Sequence, residues 1–277
     1  MSRRGIGIME FLSFSSGSCG NCYYIGTDPD VFGRRKALLI DAGVSMRRVK
    51  KIMTDNKLNI NELCGILVTH EHLDHIRFLG TYCKYLSVKV FTTKKLHGVL
   101  AAHTFTRDHI ASCRAVMGEG EWVDIADAFK VKYFVVPHDA TQTVGYAVRC
   151  EDRLFVLMTD LDHMTEEALS FARMADTVVI ESNYDYNMLV NGPYTPELKA
   201  RILNEGHLCN EETAQAIRQF YHPGLRNLFL CHLSANNNTP ALAYNSALAA
   251  LEDLGVERGS VHLRALERGS ASPLIYL

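Results

Sequence analysis

The sequence predicts an α/β protein built as two β-sheets packed face to face with helices outside. Two observations carry that prediction. Short apolar runs rich in Val, Ile, Leu and aromatics recur along the chain at the length of buried strands. They first cluster and then alternate with helical segments, in both halves of the chain. A third observation sets the domain count. No internal repeat, low-complexity tract or Pro/Gly/Ser-rich linker divides the 277 residues, so residues 1–277 read as one domain.

In chain order, the predicted strands are 9–14, 22–26, 37–41, 65–69, 88–92, 130–136, 144–150, 153–159, 177–181, 227–231 and a terminal 274–276. Helices are marked by their ends. One spans 164–174 and another 196–204. Asn210 reads as the cap of a third, with Glu211 and Glu212 in its first turn favouring the dipole. Thr239-Pro240 opens a fourth, with proline at the first helical position, and Gly255 stops it.

Composition excludes several classes. With 29 Lys and Arg against 31 Asp and Glu, the net charge is −2, so the protein does not hold nucleic acid by bulk positive charge. Local basic clusters exist at Arg34-Arg35-Lys36, Arg47-Arg48-Val49-Lys50-Lys51 and Lys94-Lys95, each read by default as a solvated face. No apolar run reaches the length of a membrane span, and the first residues lack the apolar core of a signal peptide. The eight cysteines are scattered, mostly in apolar runs, as expected of free thiols in a reducing compartment, and the expected location is the cytoplasm. Cys19-Gly-Asn-Cys22 has redox spacing but lies on a glycine-rich turn with no partner pair.

The chemistry concentrates in Thr69-His70-Glu71-His72-Leu73-Asp74-His75, at the exit of an apolar strand. Imidazoles and carboxylates pack poorly there unless something binds them. In extended chain His70 and His72 point the same way, and after the turn Asp74 and His75 face a neighbouring point. One loop can thus supply two ligands to each of two metal ions. Other apolar strands also end in ligand types: Pro137-His138-Asp139, Thr159-Asp160 and Cys231-His232. All of these can converge on one edge of the sheets.

The run H-x-H-x-D-H, followed by His, Asp and His, resembles the metallo-β-lactamase fold superfamily. The segments SSGSCGNCYYI, LLIDAG, THEHLDH, PHDA, TVGY, ESNYDYNML, GPY–LKARI, GHLCNEETA and CHLSANNNTP are similar to its WalJ/YycJ-type exonuclease branch. The resemblance implies a four-layer αββα sandwich, two mixed β-sheets flanked by helices, with a di-metal site on its edge. Carried over, His70, His72 and His138 hold one ion, Asp74, His75 and His232 hold the other, and Asp160 bridges them. Imidazole suits Zn²⁺, and a mixed nitrogen and oxygen set also takes Mn²⁺ or Fe²⁺. Two such ions, about 3.5–4 Å apart, activate a bridging hydroxide that attacks phosphorus or a carbonyl carbon.

The catalytic candidates are Asp74, which orients that hydroxide while binding metal, His207, and Glu181. Gly206-His207 resembles a segment of tRNA-maturing phosphodiesterases whose histidine reaches the scissile phosphate. His207 is therefore expected to contact the phosphate or protonate the leaving oxygen, with Glu181 orienting it. Candidate substrate contacts are Ser16, Ser18 and Asn21 on a glycine-rich loop, and Ser234, Asn236 and Asn237 after His232. Asp41 buttresses the metal loop in the family pattern. Two departures stand out: Leu161 where relatives commonly carry a small residue, and Tyr184 where the branch often has histidine. His97, His103 and His109 read as solvated.

The expected activity is phosphodiester cleavage, as a DNA exonuclease with DNA preferred over RNA as partner and no membrane. The alternatives are a small-substrate hydrolase of the same fold, acting on a cyclic phosphodiester, thioester or lactam, and a non-hydrolytic di-iron redox or sensor protein. Steep salt dependence of binding distinguishes a polynucleotide from a small ester.

Overall fold

The computed structural model describes residues 9–277 and, outside positions 204 and 205, their side chains. The opening segment, read above as lacking a leader's apolar core, begins in residues 1–8, outside that range.

The first sheet contains β1 (Met9–Ser15), β2 (Cys22–Thr27), β3 (Ala37–Ile40), β4 (Leu63–Leu67), β5 (Lys89–Thr92) and β6 (Arg114–Val116). The second contains β7 (Val123–Ile125), β8 (Phe129–Val136), β9 (Thr143–Cys150), β10 (Arg153–Met158), β11 (Thr177–Glu181), β12 (Asn227–Cys231) and β13 (His262–Ala265). β14 (Ile275–Tyr276) returns to pair with β1, giving the orders β14-β1-β2-β3-β4-β5-β6 and β13-β12-β11-β10-β9-β8-β7.

Helices α1 (Met46–Asp55), α2 (Leu73–Ile76), α3 (Leu79–Leu86), α4 (Lys94–Ala102) and α5 (Ile110–Cys113) belong to the first half. In the second are α6 (Glu166–Ala172), α7 (Tyr186–Asn191), α8 (Pro196–Glu205), α9 (Asn210–Phe220) and α10 (Pro240–Asp253).

Alternation along the strands produces three cores. Phe11 of β1 points between the sheets, where it stacks on Phe229 at 5.1 Å and meets Phe155 at 5.6 Å. Its neighbour Leu12 points the other way, into the core shared with Val49 and Met53 of α1 and Tyr82 of α3. On the far face, Val178 and Ile180 of β11 pack against Ala214 and Ile217 of α9 and Ala247 of α10. Helix, sheet, sheet and helix therefore stack as four layers, as the sequence implied.

Strand direction places the site. β10, β11, β12 and β13 run parallel, and β8 runs with them because β9 is antiparallel to both β8 and β10. β3, β4, β5 and β6 are likewise parallel. The carboxyl ends of β3, β4, β8, β10, β11 and β12 thus carry Asp41, His70, His138, Asp160, Glu181 and His232 to one edge of the sandwich.

Two details correct the sequence reading. Asn210 is not the cap of α9. Cys209 is: its thiol accepts from the Glu212 N–H at 3.4 Å, and the Glu212 carboxylate accepts from the Cys209 N–H at 2.8 Å. Asn210 is the first helical residue, buried and bonded to Ser182 and Asn238. His97 is buried rather than solvated, on the inner face of α4, with its Nε2 3.1 Å from the Ala115 carbonyl.

Candidate metal centre

Three tight turns meet backbone to backbone beneath the site. The Asn21 N–H donates to the Asp74 carbonyl at 2.7 Å, the Gly43 N–H to the Asn21 carbonyl at 2.9 Å, and the Ala42 N–H to the His75 carbonyl at 2.7 Å. Gly43 is required there, because a Cβ would sit 1.7 Å from the Asp74 carbonyl oxygen. Asp41, Asp160 and His232 all adopt left-handed backbone, with φ of 62°, 55° and 53°. Such strain is characteristic of residues whose position a site dictates.

The structure brings the seven predicted ligands together. His70, His72 and His138 place ligand atoms within 4.8 Å of one another, as do Asp74, His75 and His232, and His70, His75 and Asp160. Asp160 stands between the groups: one carboxylate oxygen is 3.2 Å from His75 Nε2, and the other is 3.4 Å from His232 Nδ1 and 3.8 Å from His138 Nε2.

The His75 and His138 rings are oriented from behind. His75 Nδ1 donates to Asp41 at 2.7 Å, and Asp41 also accepts from the Thr69 N–H and hydroxyl. His138 Nδ1 donates to the Gly206 carbonyl at 2.7 Å. The opposite nitrogens of His70 and His138 are buried with no hydrogen-bond partner. Leaving such groups unsatisfied costs about 1–3 kcal/mol each. Neutral imidazole nitrogens fixed behind and orphaned in front fit a divalent cation. Burial holds the pKa of His70 well below the ordinary histidine value, and that of His138 also lowered, so both keep a free lone pair.

The other group is charged. Burial opposes a proton on His232, but Asp160, Asp74 and Glu181 outweigh it and push its pKa up to about 10. His75 is raised as well, by Asp160, Asp41 and Asp74 against the same desolvation. Burial likewise opposes ionisation of Asp74, yet His75 and His232 hold it down to about 2. Cation binding to stripped protein must therefore expel protons from His75 and His232. Affinity is expected to climb with pH, by about tenfold per unit for each proton released, over roughly pH 6 to 8. Calorimetry in buffers of different ionisation enthalpy checks this; binding without proton release would contradict it.

Glu181 is the second hub. It is fully buried, and one oxygen lies 2.7 Å from His207 Nδ1 and 3.0 Å from His232 Nδ1. The other accepts the Leu161 and Leu208 N–H groups at 3.1 and 3.3 Å. Burial works against its ionisation, but the two histidines keep its pKa below the usual range. With Nδ1 tied down, His207 lines a cavity of 270 Å³ together with His72, Asp74, His138, Asp160 and His232.

The substrate-contact expectations divide. Ser18 and Ser234 line this cavity. Ser16, Asn21 and Asn237 do not, which corrects the reading that they face substrate: all three are buried. The Ser16 hydroxyl accepts from the His232 N–H at 2.9 Å. The Asn21 amide lies 3.2 Å from Asp74 and 2.9 Å from His75 Nε2, so it braces the ligands. Asn237 is buried at the turn ending α7, and a Cβ on Gly192 would come within 2.6 Å of its amide oxygen. Asn236 donates to the Tyr194 hydroxyl. Leu161 and Tyr184 lie in apolar clusters away from the cavity lining.

Sequence reasoning covered the outer wall with the segment GPY–LKARI but gave its residues no role. Tyr194, Leu198, Arg201 and Ile202 close the cavity, with Arg201 paired to Asp139. Asn183, also unflagged, donates to the His232 carbonyl at 2.8 Å. The basic clusters at 34–36, 47–51 and 94–95 do not reach the cavity. The cysteines are free, and in the Cys19/Cys22 pair the first is exposed and the second buried. Among the described residues no helix is long and apolar enough to cross a membrane.

Comparison with known proteins agrees with this geometry. The beta-lactamase superfamily domain matches residues 36–233. An exodeoxyribonuclease YycJ of Bacillus anthracis is 33% identical over 253 residues, covering 89% of this chain and 90% of that protein. An exodeoxyribonuclease WalJ of Streptococcus pneumoniae is 31% identical, with 89% and 90% covered. In fold, the chain is similar to the metallo-beta-lactamase fold protein YhfI of Bacillus subtilis, at TM-score 0.68 and 14% identity, over 96% of this chain and 98% of that one. The chain belongs to the metallo-β-lactamase superfamily of metal-dependent hydrolases, in its YycJ/WalJ-type branch.

Proposed function

We propose that the protein is a di-metal phosphodiesterase acting on nucleic acid as a DNA exonuclease in the cytoplasm. The observation that carries this reading is His207, an imidazole outside the seven predicted ligands whose Nδ1 is held by Glu181 and whose ring lines the cavity beside the cluster. The names of the two relatives support the choice of DNA.

His70, His72 and His138 would hold one ion and Asp74, His75 and His232 the other, with Asp160 between them. Residues 1–277 act as one domain in this reading, because both sheets supply ligands. When bound, a pair of Zn²⁺ or Mn²⁺ ions supplies Lewis acidity and a water of lowered pKa. The chain supplies the rest. Asp74, held ionised, accepts a hydrogen bond from the attacking water and aligns it. As the imidazolium, His207 gives its Nε2 proton to the leaving oxygen and is left as neutral imidazole, its Nδ1–H still donated to Glu181. Arg201 takes a phosphate oxygen and Tyr194 stacks on a base at the cavity mouth. A cavity of 270 Å³ under a helical wall suits a strand end rather than a continuous duplex.

The same volume suits a small diester, so the assay must separate the two readings. Protein loaded with Zn²⁺ or Mn²⁺ is given end-labelled DNA, RNA of the same sequence and bis(p-nitrophenyl) phosphate. Stepwise release of mononucleotides from DNA, slower from RNA, is expected. Turnover of the small diester with DNA left intact would overturn the proposal.

A further inference from the structure

Beyond Leu233 and Ser234 lies a second cavity of 390 Å³, with Asn238, Pro240, Arg264 and Arg268 in its lining. Leu233 and Ser234 line both this cavity and the one at the metal cluster, so the two adjoin. They are the residues immediately after His232 and belong to the lining of both cavities.

The two cavities differ in charge. Asp74, Asp139 and Asp160 line the first, and its one Lys or Arg, Arg201, is paired with Asp139. In the second, Arg264 and Arg268 face a single acid, Glu267. Neither arginine forms an ion pair among the described residues. Arg268 has a buried Nε with no hydrogen-bond partner, though its side chain also reaches the Cys19 thiol. Its stem is fixed by packing: a Cβ on Gly17 would come within 2.8 Å of the Arg268 Cγ. A guanidinium held in place with unused donors is preorganised for a planar oxyanion such as a phosphodiester.

We infer that Arg264 and Arg268 form a phosphate subsite for the nucleotide next to the scissile bond. The substrate strand runs from the metal cluster across Ser234 into the second cavity. This rests on the nucleic-acid reading above and specifies how a polymer is told from a small diester. A substrate long enough to bridge both cavities gains two guanidinium contacts that a shorter one never reaches.

Steady-state kinetics on the metal-loaded protein test it, using a single-stranded DNA 12-mer and the dinucleotide TpT. Arg264→Gln and Arg268→Gln are each expected to raise KM for the 12-mer about tenfold, and to flatten its dependence on log salt by about 0.7 per charge removed. KM for TpT should move much less. Arg268→Lys should restore the salt slope but not the full KM, because an ammonium lacks the bidentate fork. Equal effects on both substrates, or none on the 12-mer, would overturn the subsite. Wild-type protein that cleaves neither substrate would overturn the nucleic-acid reading and the subsite with it. Thermal melts of each variant separate misfolding from lost contacts.

Discussion

Asp160→Asn is expected to strip the protein of bound metal and reduce phosphodiester turnover below detection while leaving the fold intact. The argument begins with its position. Asp160 is 2% exposed, and its two oxygens reach three of the ligand histidines. It is the carboxylate that the proposed centre shares between its two groups of ligands. Removing one partner from a buried charged constellation typically costs about 3–5 kcal/mol. Applied to a bound cation, that corresponds to roughly two to four orders of magnitude in affinity. Asparagine is the discriminating choice, because it keeps the volume and tolerates the left-handed backbone that Asp160 adopts at φ 55°. Its amide can still meet the Thr159 hydroxyl, which donates to Asp160 at 2.7 Å. Two measurements decide it. Metal per chain after dialysis should approach the full complement in wild type and fall sharply in the variant. The melting temperature supplies the second: metal at a hundred times its Kd stabilises a folded chain by about 2.7 kcal/mol. For a domain of this size that is worth roughly 5–10 °C. The variant should lose that shift yet melt cooperatively, and full metal content with full activity in Asp160→Asn would remove Asp160 from the centre.

What the sequence revealed follows from the same geometry. His70, His138, Asp160, Glu181 and His232 each follow a strand whose apolar run is strong and local, so β4, β8, β10, β11 and β12 were legible within a residue or two. Parallel direction then made their ends coincide in space. β6, β7 and β13 were not seen because they are three or four residues long and half exposed, too short to show a period. α1 was read only as a basic cluster, since just Val49 and Met53 of its ten residues are buried. The bracing roles of Ser16 and Asn21 were misread as substrate contacts. A glycine-rich loop looks the same in sequence whether it faces a ligand or supports one from behind, and only burial tells them apart. Arg264 and Arg268 carry no motif, and Arg201 lies in a segment, GPY–LKARI, that the resemblance covers without giving that residue a role. They matter because separate segments bring them to cavities next to the cluster, and one-dimensional spacing does not encode that.

His207→Ala should separate chemistry from metal binding. His207 lies 5.0 Å, ring centre to ring centre, from His138 and 5.3 Å from His232, yet its Nδ1 is committed to Glu181. If it serves as proton donor to the leaving oxygen, its loss lowers kcat by about 10²–10⁴. Metal content should stay at the wild-type level, because none of the seven ligand side chains is changed. Substrates with a good leaving group give the sharper readout. A p-nitrophenolate oxygen departs without a proton, so the defect should shrink on a p-nitrophenyl ester and remain on DNA. Glu181→Gln makes the contrast. That carboxylate touches both His207 and His232, so its amide variant should lose metal affinity as well as turnover. A histidine that merely packed beside the cluster would show no leaving-group dependence. Equal losses on both esters would therefore return His207 to a structural role, even if its substitution were costly.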